Sequence, residues 1–158
     1  MSHEQTAGVQ AARFDLILFD FDGTLADSES VLVALVNDAL VAQGHHPAAH
    51  ACIAGNIGLP LERVFHNVAP HLNESAVAAL CAGYRQRAVE PEIVRRFTLF
   101  PGARATLFEL HARGMRLGIA TSKSRGTTVD IVAHCGIAPV IEEIFGGDSV
   151  RRGKPHPE

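Results

Sequence analysis

Lysine is almost missing from this chain: Lys123 and Lys154 are the only two among 158 residues, against twelve arginines. No lysine-rich patch or tail exists, and a net charge of −3 with both signs interspersed argues against nucleic acid or an anionic membrane surface as a partner. Cysteine is scarce too. Cys52, Cys81 and Cys135 are odd in number, widely spaced and set in apolar helical patterns, which fits free thiols in a reducing cytosol better than disulfides or a thiolate metal site. No apolar run approaches the roughly eighteen residues of a membrane span. The opening residues, Met-Ser-His-Glu-Gln-Thr-Ala-Gly, offer neither a basic nor an apolar signal region, so a cytoplasmic, soluble protein is expected. Internal repeats and low-complexity tracts are absent as well. The composition, 47% hydrophobic and 20% charged, is that of a chain able to bury a core. Its length allows one domain, or one core carrying a small insertion.

The most informative stretch runs from Leu16 to Ser28, Leu-Ile-Leu-Phe-Asp-Phe-Asp-Gly-Thr-Leu-Ala-Asp-Ser. Its near-continuous apolar run predicts a strand over Asp15 to Phe21, buried on both faces as in a parallel sheet. Gly23 breaks the strand, and open α/β sheets carry their chemistry just past such ends. Asp20 is thus expected at the strand tip and Asp22 in the following turn. Two carboxylates so close push each other's proton affinities apart unless a cation neutralises them. A nucleophile beside a general acid/base, with a divalent metal between, suits that arrangement. An isolated Asp-x-Asp-Gly would equally serve to end a strand and cap a turn.

Residues Met1 to Arg13 read as a loose leader. Asp27 or Ser28 is expected to cap a helix that carries Val31, Leu32, Leu35, Val36, Ala39 and Leu40 and stops at Gly44. His46 and His50 lie four apart, but a loop and a helix start around Pro47 account for them more simply than a metal site. A short helix with Leu61, Val64, Phe65 and Val68 follows the Gly55–Pro60 turns. Asn73 is placed to cap a longer one, with Val77, Leu80, Cys81 and Tyr84 on one face, and Pro91 is expected to end or kink it. From Ser28 to Phe97 the pattern is helix upon helix. Strand and helix then alternate: a helix from Ala103 stopping at Gly114, a strand over Met115 to Ala120, a loop Thr121-Ser122-Lys123-Ser124, a helix over Thr127 to Cys135, and a short strand near Ile144-Phe145.

Thr121 follows a strand as Asp20 does, so in a parallel sheet both lie at one edge, where a hydroxyl and turn amides can hold a phosphate oxygen. Taken in order, Asp20-Phe-Asp22-Gly23, Ala-Thr121-Ser122-Lys and Lys154-Pro resemble the first three motifs of the haloacid dehalogenase-like hydrolases. Leu99-Phe-Pro-Gly-Ala103 resembles the stretch where that family returns to its core. The closest likeness is to its helical-cap, phosphoglycolate-phosphatase-like branch. The resemblance implies a Rossmann-like parallel α/β core with an all-helical cap inserted after the first strand: core residues 1–27, cap 28–97, core 98–158. It implies a magnesium-dependent phosphatase of a small phosphorylated metabolite. Asp20 would attack phosphorus, and Asp22 would protonate the leaving alcohol and then activate water. Mg2+ would be held by the Asp20 carboxylate and the Asp22 backbone carbonyl. Thr121, Lys154 and the amides around Asp22, Gly23 and Ser122 would stabilise the phosphoryl oxygens.

Two further points bear on function. Family members continue past the lysine motif to a fourth, acidic motif that completes the magnesium site, whereas here the sequence stops at Glu158. Gly147-Asp148 precedes Lys154 and so belongs to the loop leading to it. A partial sequence is therefore expected, marginally stable and weakly active alone, with the core incomplete at its C-terminal end. Among competing activities, a phosphonate-cleaving relative needs a cap lysine, and Ser28 to Phe97 contains none. A carbon–halogen hydrolase needs neither Asp22 nor the metal. A phosphosugar mutase and a truncated, binding-only protein stay open. Asn56, Arg63, His66, Tyr84 and Arg85 are candidate substrate contacts in the cap, Arg63 foremost for an anionic tail. Oligomeric state is not legible.

Overall fold

The computed structural model describes residues 15–154 and 156; the leader expected over Met1 to Arg13 lies outside them. The chain opens with β1 (Ile17–Phe19) and β2 (Ala26–Asp27). Five helices follow: α1 (Glu29–Ala42), α2 (His50–Ala54), α3 (Leu61–Val68), α4 (Glu74–Ala88) and α5 (Pro91–Val94). Then come β3 (Thr98–Leu99), α6 (Ala103–Ala112), β4 (Leu117–Ala120), α7 (Arg125–His134), a 3-10 turn (Ala138–Val140) and β5 (Glu143–Phe145). The architecture is mixed α/β. A parallel sheet has the order β1-β4-β5, with Ile17 opposite Leu117 and Ile119 opposite Ile144. A second pairing joins β2 to β3 antiparallel, Ala26 facing Leu99, so both ends of the helical stretch are tied together.

Two apolar cores result. One lies against the sheet around Phe21, Leu107, Leu117, Ile119 and Ile131. The other is made wholly within the helices, around Val36, Leu40, Phe65, Leu80 and Cys81. Each fully buried Leu, Ile or Phe contributes about 1.5–3 kcal/mol relative to exposure. α1 serves both cores, giving Val31, Leu32 and Leu35 to the first and Val33, Val36, Ala39 and Leu40 to the second. Arg87 of α4 adds a polar tie, 2.9 Å from Asp38 of α1 and 2.5 Å from Glu90.

Several local expectations change. β1 is shorter than Asp15–Phe21 and sits at an edge of the sheet, where Leu18 is 50% exposed, so the apolar run is not covered on both faces by the described residues. Asp27 lies in β2, and Ser28, at the start of α1, makes no capping hydrogen bond with its side chain. Asn73 does cap α4, accepting from the Ala76 amide at 2.9 Å. α4 ends at Ala88, and Pro91 opens α5, because its missing N–H costs nothing in a first turn. α7 begins at Arg125 rather than Thr127, since Ser124 provides the cap.

Candidate active site

The turn after β1 is built by one buried side chain. Phe21 is fully buried, and its carbonyl accepts the amides of Thr24, Leu25 and Ala26 at 3.3, 3.0 and 2.9 Å. Gly23 sits there at φ 78°, a left-handed conformation that a side chain would strain. This compact turn presents Asp20 just beyond β1 and Asp22 one step further, at the carboxyl edge of the parallel sheet.

Thr121 stands at the same edge, immediately after β4 and 5% exposed. Its amide donates to the Phe145 carbonyl at 2.9 Å, and its hydroxyl oxygen accepts from the Lys123 amide at 3.2 Å. The Ser122 hydroxyl donates to the Gly58 carbonyl at 2.8 Å, joining the loop after β4 to the loop between α2 and α3. The loop after β5 lies directly on this one. A Cβ on Gly146 would come within 2.3 Å of the Arg125 nitrogen, and one on Gly147 within 2.5 Å of the Ser122 carbonyl oxygen. Asp148 then accepts from the Arg125 amide at 2.8 Å, securing the start of α7. The chain next brings back Lys154, whose ammonium donates to Asp20 Oδ1 at 2.6 Å and to the Ala120 carbonyl at 3.0 Å. The predicted residues Asp20, Asp22, Gly23, Thr121, Ser122 and Lys154 are therefore brought to one sheet edge.

A cavity of about 380 Å³ separates this edge from the helices. Asp20, Asp22, Thr121 and Ser122 line its floor, and Leu32, Val36, Ile53, Val64 and Tyr84 its apolar wall. Arg85 and Glu62 line it as a pair 2.5 Å apart. Burial works against the Glu62 carboxylate, but its own backbone hydrogen bond and Arg85 outweigh this and lower its pKa. Burial raises the pKa of Tyr84, with Asp22 adding to the effect and Lys123 opposing it. Of the candidate contacts in the helices, Tyr84 and Arg85 reach the cavity. Arg63 and His66 are exposed elsewhere, and Asn56 is engaged by Asn67 at 2.6 Å and by the Cys52 carbonyl at 2.7 Å. His50 lies 3.4 Å from Glu29, and no trio of His, Cys, Asp and Glu suited to a metal occurs among the described residues.

One residue at this edge escaped the sequence reading. Lys123, with its side chain 9% exposed, points its ammonium at Asp22 Oδ2, 3.4 Å away, and lies over the Phe97 ring at 5.0 Å. Its position two residues after Thr121, in a chain so poor in lysine, was the available signal.

Comparison with known proteins identifies the family. The sequence model of the haloacid dehalogenase-like hydrolases matches residues 17–158. Phosphoglycolate phosphatases of Cereibacter sphaeroides and Yersinia pseudotuberculosis are 33% and 34% identical over 144 and 148 residues, 89% of this chain in each case. The chain spans 66% and 62% of the length of these relatives. The crystal structure of a haloacid dehalogenase-like hydrolase from Bacteroides fragilis superposes with a TM-score of 0.83 at 28% identity, covering 92% of this chain and 69% of that one. A predicted phosphoglycolate phosphatase from Haemophilus somnus gives 0.79 at 26%, covering 91% and 67%. With a family model matching nearly the whole chain and an overall superposition in accord, the chain belongs to the haloacid dehalogenase-like hydrolase family.

Proposed function

We propose that the protein is a phosphatase of small, phosphoglycolate-like phosphate monoesters, working through an aspartyl-phosphate on Asp20. The observation that carries this reading is the meeting of Asp20, Asp22, Thr121 and Lys154 at one sheet edge below a cavity. Helices of residues 28–97 act as the cap over it, and the described residues before and after them contribute to the core. The likeness to phosphoglycolate phosphatases supports the substrate class.

An Asp20 carboxylate oxygen forms a bond to phosphorus as the ester P–O bond breaks, and Asp22 gives its proton to the departing oxygen. Water then attacks the aspartyl-phosphate, Asp22 takes the water's proton, and phosphate leaves with Asp20 restored. Asp22 Oδ1 is buried without a hydrogen-bond partner among the described residues, as an oxygen kept for a travelling proton should be. The Thr121 hydroxyl, neighbouring amides and Lys154 offset charge on the phosphoryl oxygens. The Asp20 carboxylate and the Asp22 backbone carbonyl make an all-oxygen pair, which fits a magnesium ion that keeps most of its waters. Bound there, the ion would neutralise charge on the transferring group. The cytoplasm, where such metabolites and reduced thiols coexist, is the proposed location.

The test is hydrolysis of 2-phosphoglycolate and p-nitrophenyl phosphate with magnesium, by residues 1–158 and by the longest form the gene encodes, each beside Asp20→Asn. Turnover lost in Asp20→Asn supports the reading. No turnover of any phosphate ester by a cooperatively folded protein overturns it, and a rate that requires a sugar bisphosphate marks a mutase instead.

A further inference from the structure

We infer that Lys123 is the positioning residue for Asp22, fixing which of its carboxylate oxygens is free to exchange the proton. The inference rests on the reading of Asp20 and Asp22 given above. Its basis is a pairing of rare with reactive groups. The chain meets its need for cations with twelve arginines, yet both of its lysines stand against the two aspartates: Lys154 at 2.6 Å from Asp20 and Lys123 at 3.4 Å from Asp22. A lysine ammonium is a compact point charge, whereas a guanidinium is a planar fork that would engage both carboxylate oxygens at once.

The geometry leaves Asp22 asymmetric. Oδ2 faces the ammonium, and Oδ1 has no hydrogen-bond partner among the described residues. Lys123 itself is held at the backbone from both sides, its amide on the Thr121 hydroxyl oxygen at 3.2 Å and its carbonyl accepting the Gly147 amide at 2.8 Å. The buried Phe97 ring closes the far side of its side chain at 5.0 Å. A charge fixed in this way sets the side-chain torsion of Asp22. Stability does not account for a lysine there. Burying an ion pair costs desolvation that its attraction barely repays, and an apolar residue of similar volume usually serves the fold as well. The fold therefore maintains a charge whose use is local to Asp22.

The readout is the leaving group. An alkyl oxygen departs only with a proton from Asp22, while p-nitrophenolate departs without one. For Lys123→Met in the full-length protein, kcat/KM on 2-phosphoglycolate is expected to fall about a hundredfold and on p-nitrophenyl phosphate no more than about fivefold. Asp22→Asn should show the same selectivity, and adding Lys123→Met to it should cost nothing further, since both act through one group. Equal losses on the two esters, no loss on the alkyl ester, or losses that multiply in the double variant would each overturn the inference. Should Lys123→Met fail to melt cooperatively, Lys123→Gln keeps a polar end at the same place and is judged by the same outcomes. A wild-type protein inactive on both esters would remove the phosphatase reading instead, and this inference with it, an outcome recognised without any Lys123 variant.

Discussion

Lys154 and Asp20 lie 134 residues apart in sequence, yet the ammonium of one donates to the carboxylate of the other at 2.6 Å. Both side chains are 44% exposed, so the pair adds little to stability. Under the proposed function its value lies in catalysis. Lys154→Met is expected to keep the wild-type melting temperature within a degree or two, roughly, while lowering kcat/KM for phosphate esters by about a hundredfold or more. Differential scanning fluorimetry and steady-state rates check this together, and a large loss of stability with rates intact would contradict it.

The Cys81 thiol titrates unusually high. Burial pushes its pKa up to about 11 from 9.0, with Glu62 adding to the rise and Arg85 opposing it. The unfolded thiol loses its proton first, so the folded state is favoured below pH 9 and this contribution is lost as pH rises from 9 towards 11. Urea unfolding at pH 8 and pH 10.5 should show a steeper decline for wild type than for Cys81→Ala; parallel declines would show that the thiol does not titrate this way.

Two helix starts give opposite expectations. Asn73→Ala removes the acceptor for the Ala76 amide and should cost about 1 kcal/mol. Ser28→Ala removes a buried hydroxyl oxygen that has no partner and should be neutral or stabilising by up to about 1 kcal/mol. Denaturant midpoints at unchanged slope decide both.

Gly147→Ala places a methyl group 2.5 Å from the Ser122 carbonyl oxygen. Backbone must move, and overpacking of this kind costs about 1–3 kcal/mol. Because the displaced loop carries Thr121 to Ser124, phosphate affinity should fall along with stability. Calorimetric titration with inorganic phosphate and a thermal melt would measure the two, and an unaltered affinity would show that the loops move independently.

Much of the site was legible because its residues are tied to strand ends. Asp20 and Thr121 each follow an apolar strand of a parallel sheet, and that alone sends them to one edge. Lys154 could be placed only by its order after them, and Lys123 only in the loop after Thr121, because its burial against Phe97 depends on how the helices return to the sheet. The β2–β3 pairing was invisible for a different reason: two residues per strand are too few to show periodicity. Arg63 was preferred over Arg85 in sequence, yet the packing of α3 on α4 turns Arg85 to the cavity and leaves Arg63 exposed. Pro91 carried a true signal of interruption, but whether a proline closes one helix or opens the next depends on where the preceding helix ends, here at Ala88.

The double duty of α1 bears on how the cavity is entered. A helix of 14 residues, about 21 Å long, is a common axle that belongs to both cores. The helices above the cavity cannot swing away as a separate block without either tilting that axle or sliding along its far face. A substitution at Phe65 or Leu80 that tilted α1 would therefore be felt at the sheet edge where Asp20 and Asp22 stand. Substitutions deep in the helical core, far from any phosphate, are placed to retune the width of the entrance.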